Sequence, residues 1–227
     1  MINLFKFPMS EARRRRGDET RQRLMRATEY LVAQNGIENV TVRAIIQEAK
    51  QKNESALQYH FKNRGGLLKA IYDDRNGQVL AARQQLLKPY LNGKQASLAD
   101  ICRLMVLPSF ELARDDVGFR YYVCGFGPRI EQSSSPVRMV FDNAKGEGAS
   151  LILNRLHELL NELPDAIVHL RLESILRFTA MSMSHQAADK RGFAGPAGER
   201  FIANLQDTMC GILSAPVSPA TAKLFAD

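Results

Sequence analysis

The residues best suited to chemistry are the polar side chains between positions 41 and 62. Lysine and arginine neutralise phosphates, and glutamine and asparagine can pair bidentately with adenine edges. Carboxylates, which repel phosphate, are few in this stretch; Glu54 could accept from a cytosine amine or simply face solvent. The candidate nucleic-acid contacts are Thr41, Arg43, Lys50, Gln51, Lys52, Asn53, Glu54, Ser55, Gln58, Tyr59, His60 and Lys62.

Apolar spacing predicts three short helices that position these side chains. The first runs over about 20–35, with Thr20 as its cap and Gly36 as its end. The second covers 42–49 and the third about 53–59. Two helices joined by a tight turn form a helix-turn-helix, and its second helix is the element that enters the major groove.

The rest of the chain also shows helical spacing, with no alternating strand pattern of useful length. We therefore predict an all-α fold of about nine helices. It comprises a three-helix DNA-binding head at 20–65 and a larger helical ligand-binding and dimerisation bundle at 66–214. A disordered basic arm at 1–19 and a tail at 215–227 complete the domains. The further helices are predicted at about 64–88, 97–114, 121–126, 136–161, 164–190 and 198–214.

Charge and cysteine content narrow the function classes. The net charge of the 227 residues is +7. Residues 1–62 hold 12 Lys and Arg against 7 Asp and Glu, so about a quarter of the chain carries most of the excess. The three cysteines lack metal-binding spacing and are odd in number, which favours a reducing compartment. With no apolar run of membrane-spanning length and no signal peptide, we expect a cytoplasmic protein without a membrane partner.

Residues 20–72 resemble the tetracycline-repressor (TetR) family of transcription regulators. The stretches that carry the resemblance are Thr20-Arg21-Gln22-Arg23-Leu24, Ala33-Gln34-Asn35-Gly36-Ile37, Val40-Thr41-Val42-Arg43-Ala44-Ile45, Glu48-Ala49, Gln58-Tyr59-His60-Phe61 and, less fully, Asn63-Arg64-Gly65-Gly66-Leu67-Leu68. The resemblance implies a homodimer that binds palindromic double-stranded DNA as a transcriptional repressor and is released by an unknown small-molecule effector. Activation by the same family, or a helical ligand-binding or scaffold protein without DNA recognition, remain the alternatives.

The family's roles carry over onto matching positions. Phosphate contacts would come from Thr41 and Arg43 and, at the end of the recognition helix, from Tyr59, His60 and Lys62. Base contacts would come from Gln58 and from residues 52–55.

Three departures from the family pattern stand out. Lys50 replaces a usual turn glycine, which suggests a turn of another type. The stretch 50–61 is one residue longer than the common pattern, and Gly65 replaces an acidic residue. The pair Gly65-Gly66 at the start of the fourth helix predicts a frayed or hinge-like start there.

Two further residue sets follow from the resemblance. In the family, the middle helices enclose an inducer, and the last two helices pair between subunits. Core packing within one subunit would place apolar residues at the same positions in both regions. The candidate pocket residues are Met105, Phe110, Tyr121, Tyr122, Phe126, Phe141 and His157. The candidate dimer residues are Ile167, Leu170, Ser174, Ile175, Phe178, Met181, Phe201, Leu205 and Met209.

No catalytic residue set is recognisable in the sequence. The serine run at 133–135 has no surrounding glycine frame, and no glycine-rich loop has phosphate-cradling spacing. The histidines His157, His169 and His185 have no cysteine or second histidine at metal spacing. We expect no enzyme activity, no metal and no cofactor.

Overall fold

The computed structural model describes residues 11–138, 140 and 147–225. Within them every regular element is helical, so the predicted all-α class is confirmed. Two compact units meet within the fourth helix, one ending at Asp73 and the other beginning at Asp74. The α-helices are α1 (Glu11–Asn35), α2 (Val42–Glu48), α3 (Ser55–Phe61), α4 (Arg64–Leu91), α5 (Leu98–Asp115), α6 (Val117–Glu131), α7 (Glu147–Leu159), α8 (Asp165–Ala188), α9 (Gly195–Ser214) and α10 (Pro219–Leu224), with a 3-10 helix at Ile37–Asn39.

The first unit is built on the apolar face of α1. Leu24 and Val32 are fully buried there, in contact with α2 and α3 through a core that includes Ile45 and Leu57. Thr28 shares this buried face because its hydroxyl donates to the carbonyl of Leu24 at 2.8 Å. The helical spacing read from the sequence therefore marks a true core face.

The start of α1 differs from the prediction. A disordered arm was expected at 1–19, but α1 begins at Glu11, so the prediction is wrong for 11–19; residues 1–10 lie outside the described residues. Thr20 is consequently not a cap but lies inside the helix, where its hydroxyl donates to the carbonyl of Arg16 at 2.9 Å. Apolar periodicity reports only a buried face, whereas alanine, arginine and glutamate favour helix even where nothing is buried.

The second unit packs α6 along α8 and α5 along α9. A capping box starts α5, because Ser97 accepts from the backbone of Asp100 while the Asp100 carboxylate accepts from Ser97. Helix α6 is longer than the helix predicted at 121–126. It begins earlier because the carboxylate of Asp116 caps it by accepting from the amide of Gly118 at 2.8 Å.

Proline inside α5 leaves a backbone carbonyl without its helical partner. Pro108 has no N–H, so the carbonyl of Leu104 four residues earlier cannot be satisfied within the helix. The guanidinium of Arg83, on α4, donates its Nε–H to this oxygen at 3.0 Å. A side chain from a neighbouring helix thus replaces the missing bond, and α5 continues through the proline.

The same replacement occurs in α6. Pro128 leaves the carbonyl of Cys124 free, and the hydroxyl of Ser184 on α8 donates to it at 2.7 Å. The two helices lie close here, because a Cβ at Gly127 would be 3.0 Å from the Ser184 Cβ and 3.1 Å from the carbonyl oxygen of Ala180. Glycine at 127 therefore permits the contact.

The C-terminal boundaries also differ from expectation. Pro89 was predicted to end α4, but it lies in the last turn, and the helix ends at Leu91 before Gly93, whose φ is 95°. Within the predicted tail, Ser218 accepts from the amide of Thr221 and caps α10. Of the helix predicted at 136–161, the structure describes α7; residues 139 and 141–146 lie outside the described residues.

Candidate nucleic-acid interface

The helices α2 and α3 form the predicted pair, each fixed by a small apolar face. The hydroxyl of Thr41 accepts from the amide of Ala44 at 3.2 Å and starts α2. Ile45 is buried from α2, and Leu57 and Phe61 are buried from α3. With one face of α3 committed to the core, its other face is left to solvent.

The solvent face of α3 is polar and open. Ser55, Gln58 and Tyr59 are exposed, at the spacing that brings side chains onto one side of a helix. Tyr59 is 75% exposed, more than any other aromatic side chain among the described residues of this unit. Thr41, Arg43, Lys52, Glu54 and Lys62 are exposed around it. These exposed side chains are accessible to an external partner.

The turn between α2 and α3 keeps a left-handed residue. Lys50 has φ 52°, the conformation that glycine adopts at lowest cost. The amide of Lys50 donates to the carbonyl of Gln47 at 3.1 Å, and the amide of Gln51 to that of Ile46 at 2.9 Å. These two bonds define a Schellman motif. The suggestion of another turn type was wrong: the lysine takes the glycine conformation.

A second left-handed lysine follows α3. Lys62 has φ 69° and ψ −48°, and the amide of Asn63 donates across it to the carbonyl of Phe61 at 2.8 Å. This is a three-residue γ-turn of the rare, strained form. Among the described residues, positive φ at a non-glycine position occurs at Lys50 and Lys62. An exposed lysine with strained backbone therefore lies in the turn before α3, and another directly follows α3.

The pair Gly65-Gly66 is not a frayed helix start. Both residues lie within α4, and the side chain of Asn63 accepts from the amide of Gly66 at 2.9 Å. A Cβ added at Gly66 would overlap the carbonyl oxygen of Phe61. The backbone at Gly66 approaches the backbone at Phe61 so closely that only glycine fits. The glycine pair therefore no longer supports the predicted hinge.

The electrostatics around His60 involve a residue that sequence reasoning missed. Burial lowers the pKa of His60 below its usual value, the charge of Arg21 lowers it further, and Asp18 opposes the shift. His60 is therefore neutral at pH 7. Arg21 also lies over the ring of Phe61, 5.4 Å from its centre. Its place beside α3 arises from the packing of α1, for which the local sequence carries no signal.

Two predicted contact residues hold the turn itself. The side-chain nitrogen Nε2 of Gln51 donates to the backbone carbonyl of Ala49 at 3.1 Å, and the Gln51 side chain is half-buried. The side-chain oxygen of Asn53 accepts from the amide of Ser55 at 3.1 Å. These bonds give both residues a structural role in presenting α3.

The comparisons with known proteins bear on this unit. Residues 24–71, from the buried face of α1 into α4, match the family described as bacterial regulatory proteins, tetR family. This match assigns residues 24–71 to the TetR family. No curated protein matches it. A solved structure of Salmonella enterica GusR shares 15% identity and a TM-score of 0.36, covering 86% of this chain and 96% of that one. An overlap this weak assigns nothing by itself.

The candidate pocket residues are mostly engaged in packing. The ring of Phe110 lies 5.4 Å from that of Phe193 and 6.4 Å from that of Phe201. Tyr122 and Phe126 have ring centres 5.0 Å apart. Phe110 and Phe126 are buried in the unit's own core, while Met105, Tyr121 and Tyr122 are half-buried.

Two other pocket candidates have different outcomes. His157 lies on the surface at the end of α7, with its Nδ1 3.5 Å from a carboxylate oxygen of Asp165. It is therefore not placed to line an interior site. Phe141 lies outside the described residues.

The candidate dimer residues divide into two sets. Four of them form one stripe on α8 at helical spacing, and all four are exposed: Leu170, Ser174, Phe178 and Met181. Four others are buried in the subunit's own core: Ile167, Ile175, Leu205 and Met209. Phe201 is half-buried against Phe110. The exposed stripe is the part available to a partner.

The described residues contain neither a group of metal-ligating side chains nor a membrane-spanning helix. In the part of the chain that the structure describes, no three His, Cys, Asp or Glu side chains are grouped as a metal site requires. No helix in that part is long and apolar enough to traverse a bilayer. The cysteines form no disulfide, and burial, together with the neighbouring Cys210, raises the pKa of the Cys102 thiol.

Proposed function

We propose that this TetR-family chain is a homodimeric repressor that binds a palindromic operator and leaves it when a small molecule binds the C-terminal unit. The observation that carries the proposal is the open polar face of α3, with Tyr59 75% exposed. An exposed face that carries hydroxyl, amide and lysine donors supplies the groups that contact phosphates and base edges. Family membership identifies DNA as the class of partner.

Each contact residue has a proposed role. Thr41 and Arg43 at the start of α2 contact phosphates, as do Tyr59, His60 and Lys62 at the end of α3. His60 does so as a hydrogen-bond donor, and in the free protein burial and the charge of Arg21 lower its pKa. Bases are read by Gln58 and by the exposed side chains of residues 52–55, whereas Gln51 holds the turn.

Dimerisation is proposed through the stripe on α8. Leu170 is 52% and Met181 is 56% exposed, so their apolar surface is not used within the subunit. One recognition helix reads too few bases for useful specificity, whereas two helices about 34 Å apart read a palindrome. In L170E/M181E, added charges on this stripe oppose pairing. Light scattering should then give the monomer mass of 25.5 kDa instead of twice that mass.

The DNA proposal is tested with the promoter region of the chain's own gene. Gel shift with purified protein at rising salt should show specific retardation, with affinity falling steeply as counterions compete for phosphates. The variant K88A, which removes an exposed lysine of the second unit, serves as the control for general charge loss. Failure of the wild type to shift this promoter, and to protect any segment in genome-wide footprinting, contradicts the proposal.

The direction of regulation is tested separately with a reporter. Deleting the gene should raise expression from the bound promoter, because a repressor blocks it. A fall in expression on deletion would instead identify an activator. Release by an effector requires that the molecule bind the DNA-free state more tightly than the bound state, since equal affinity for both states shifts nothing.

A further inference from the structure

The buried charge of Arg83 is the least explained feature of the second unit. Arg83 lies on α4 and is 7% exposed. Burial lowers the pKa of Arg83 to about 10, which still leaves the guanidinium charged at pH 7. Removing such a charge from water is costly unless a counter-charge accompanies it.

A second buried arginine on the same helix shows what such a counter-charge looks like. Arg75 is also 7% exposed, but its guanidinium is 2.7 Å from a carboxylate oxygen of Asp116 and 3.0 Å from the side-chain oxygen of Gln78. It also lies over the ring of Phe119. Around Arg83, the described residues supply one acceptor, the backbone oxygen of Leu104, and no carboxylate.

The carbonyl of Leu104 does not by itself require an arginine. The equivalent carbonyl of Cys124, freed by Pro128, is satisfied by the hydroxyl of Ser184. A neutral donor is thus sufficient for this structural task elsewhere in the same unit. The bond from Nε to Leu104 fixes the guanidinium plane and leaves its two terminal nitrogens without a described acceptor. A planar fork of this kind matches a carboxylate bidentately.

We propose that Arg83 is the anion-recognising residue of the effector site, and that the effector is a small organic carboxylate with an apolar body. Val79 and Leu87 stand four residues to either side of Arg83 on α4, so the face that carries the charge is otherwise apolar. Both pack against the core of the unit. The inference rests on the proposed ligand release.

The test uses matched pairs of probes with the full-length protein. Benzoate, phenylacetate and octanoate are compared with benzamide, phenylacetamide and octanamide in thermal unfolding of the wild type, R83Q, R83K and R75Q. At saturation, at least one carboxylate should raise the wild-type Tm by about 3 °C, and its amide should not. R83Q should lose this rise. R83K, which keeps the charge without the fork, should need about tenfold more carboxylate.

The two arginines provide the structural control. R75Q should have a lower Tm without probe, because Asp116 loses its partner, yet it should keep the carboxylate-dependent rise. R83Q removes a buried charge but also the donor to the Leu104 carbonyl, and because these effects oppose each other, its Tm without probe should stay within about 3 °C of the wild-type value. If R83Q fails to fold, R83K carries the comparison. A large loss of stability in both R83Q and R83K would show that Arg83 has a structural role.

Two results would overturn the proposal. One is the absence of any carboxylate whose effect on the wild-type Tm exceeds that of its amide. The other is an equal carboxylate response in R83Q. The promoter gel shift of the wild type, run with and without the active carboxylate, separates this from the proposed function. DNA binding without a carboxylate effect refutes only the effector class, whereas carboxylate binding without DNA binding refutes the repressor.

Discussion

The candidate DNA contacts of the first unit and the two buried arginines of the second unit lie in opposite environments. Gln58, Tyr59 and Lys62, on and next to α3, are exposed to solvent. Arg75 and Arg83, on α4, are each only 7% exposed. Surface groups can be exchanged without cost to the fold, whereas interior groups must be neutralised by a partner or tolerated at a cost.

This difference predicts which substitutions alter DNA binding and which alter stability or ligand response. Changes on the face of α3 should alter binding and leave stability nearly unchanged. Changes in the interior of the second unit should alter stability or ligand response without touching DNA directly.

The largest effect is expected from Y59A/K62A. Both side chains are exposed, and in a dimer the double substitution removes four phosphate contacts, so operator affinity should fall about 100-fold with a shallower salt dependence. The Tm should stay within about 2 °C of the wild-type value. Gel shift and thermal unfolding measure the two quantities, with K88A as the charge-loss control. Unchanged affinity would remove the recognition role of α3.

The next largest effect is expected inside the second unit, from R75Q. The substitution removes the ion-pair partner of Asp116. Because the Asp116 side chain is 48% exposed, the unfolding free energy should fall by less than for a fully buried pair, by about 2 kcal/mol. Urea unfolding measures it. The exposed-arginine variant R43Q should lose less than about 0.5 kcal/mol. Equal losses in the two variants would contradict the contrast between the units.

A smaller effect of opposite sign is expected at Lys50. Its φ of 52° is strained for a lysine and free for a glycine, so K50G should gain about 1 kcal/mol of stability in urea unfolding. It also removes an exposed cation beside α3, so DNA affinity should fall. K52G, at a position without positive φ, should gain no stability. If K50G is destabilised, the left-handed turn is not the source of strain.

The smallest effect is expected at the start of α5. The pKa of Asp100 is lowered to about 2 by hydrogen bonds from the Tyr90 hydroxyl, at 2.7 Å, and from Ser97. A depressed folded-state pKa adds stability that is present above pH 4 and is lost as the pH falls through about 2. The advantage of the wild type over D100N should be below about 1 kcal/mol, since the carboxylate is partly solvated.

Urea unfolding of the wild type and D100N at pH 6 and pH 3 measures this difference. It should shrink at pH 3, where the unfolded-state carboxyl is mostly protonated. A difference that stays constant between the two pH values would contradict the hydrogen-bond explanation of the lowered pKa.

The helix-turn-helix could be predicted from sequence because its determinants are local. The cap Thr41, the apolar positions of α2 and α3, and the polar positions between them all lie within about twenty residues. The early start of α1 was missed because it buries no apolar face. The cap of α10 was overlooked, although Ser218 followed by Pro219 is a recognisable start signal.

The division of the dimer residues shows where periodicity reaches its limit. Leu170 and Ile175 lie on the same helix and are equally apolar in sequence, yet one is exposed and the other fully buried. A helix with apolar residues on two faces does not specify which face meets its own subunit. Packing of α6 and α9 against α8 decides it.

The sequence by itself determined the helical class, the family and the polar face of the recognition helix, because each depends on residues close together in the chain. Only the tertiary structure decided that Lys50 adopts a glycine conformation, that Gly66 accommodates a backbone contact, and that Arg83 is buried without a described counter-charge. Burial and charge pairing depend on helices that are distant in sequence. An arginine in the sequence looks the same whether it faces water or the core.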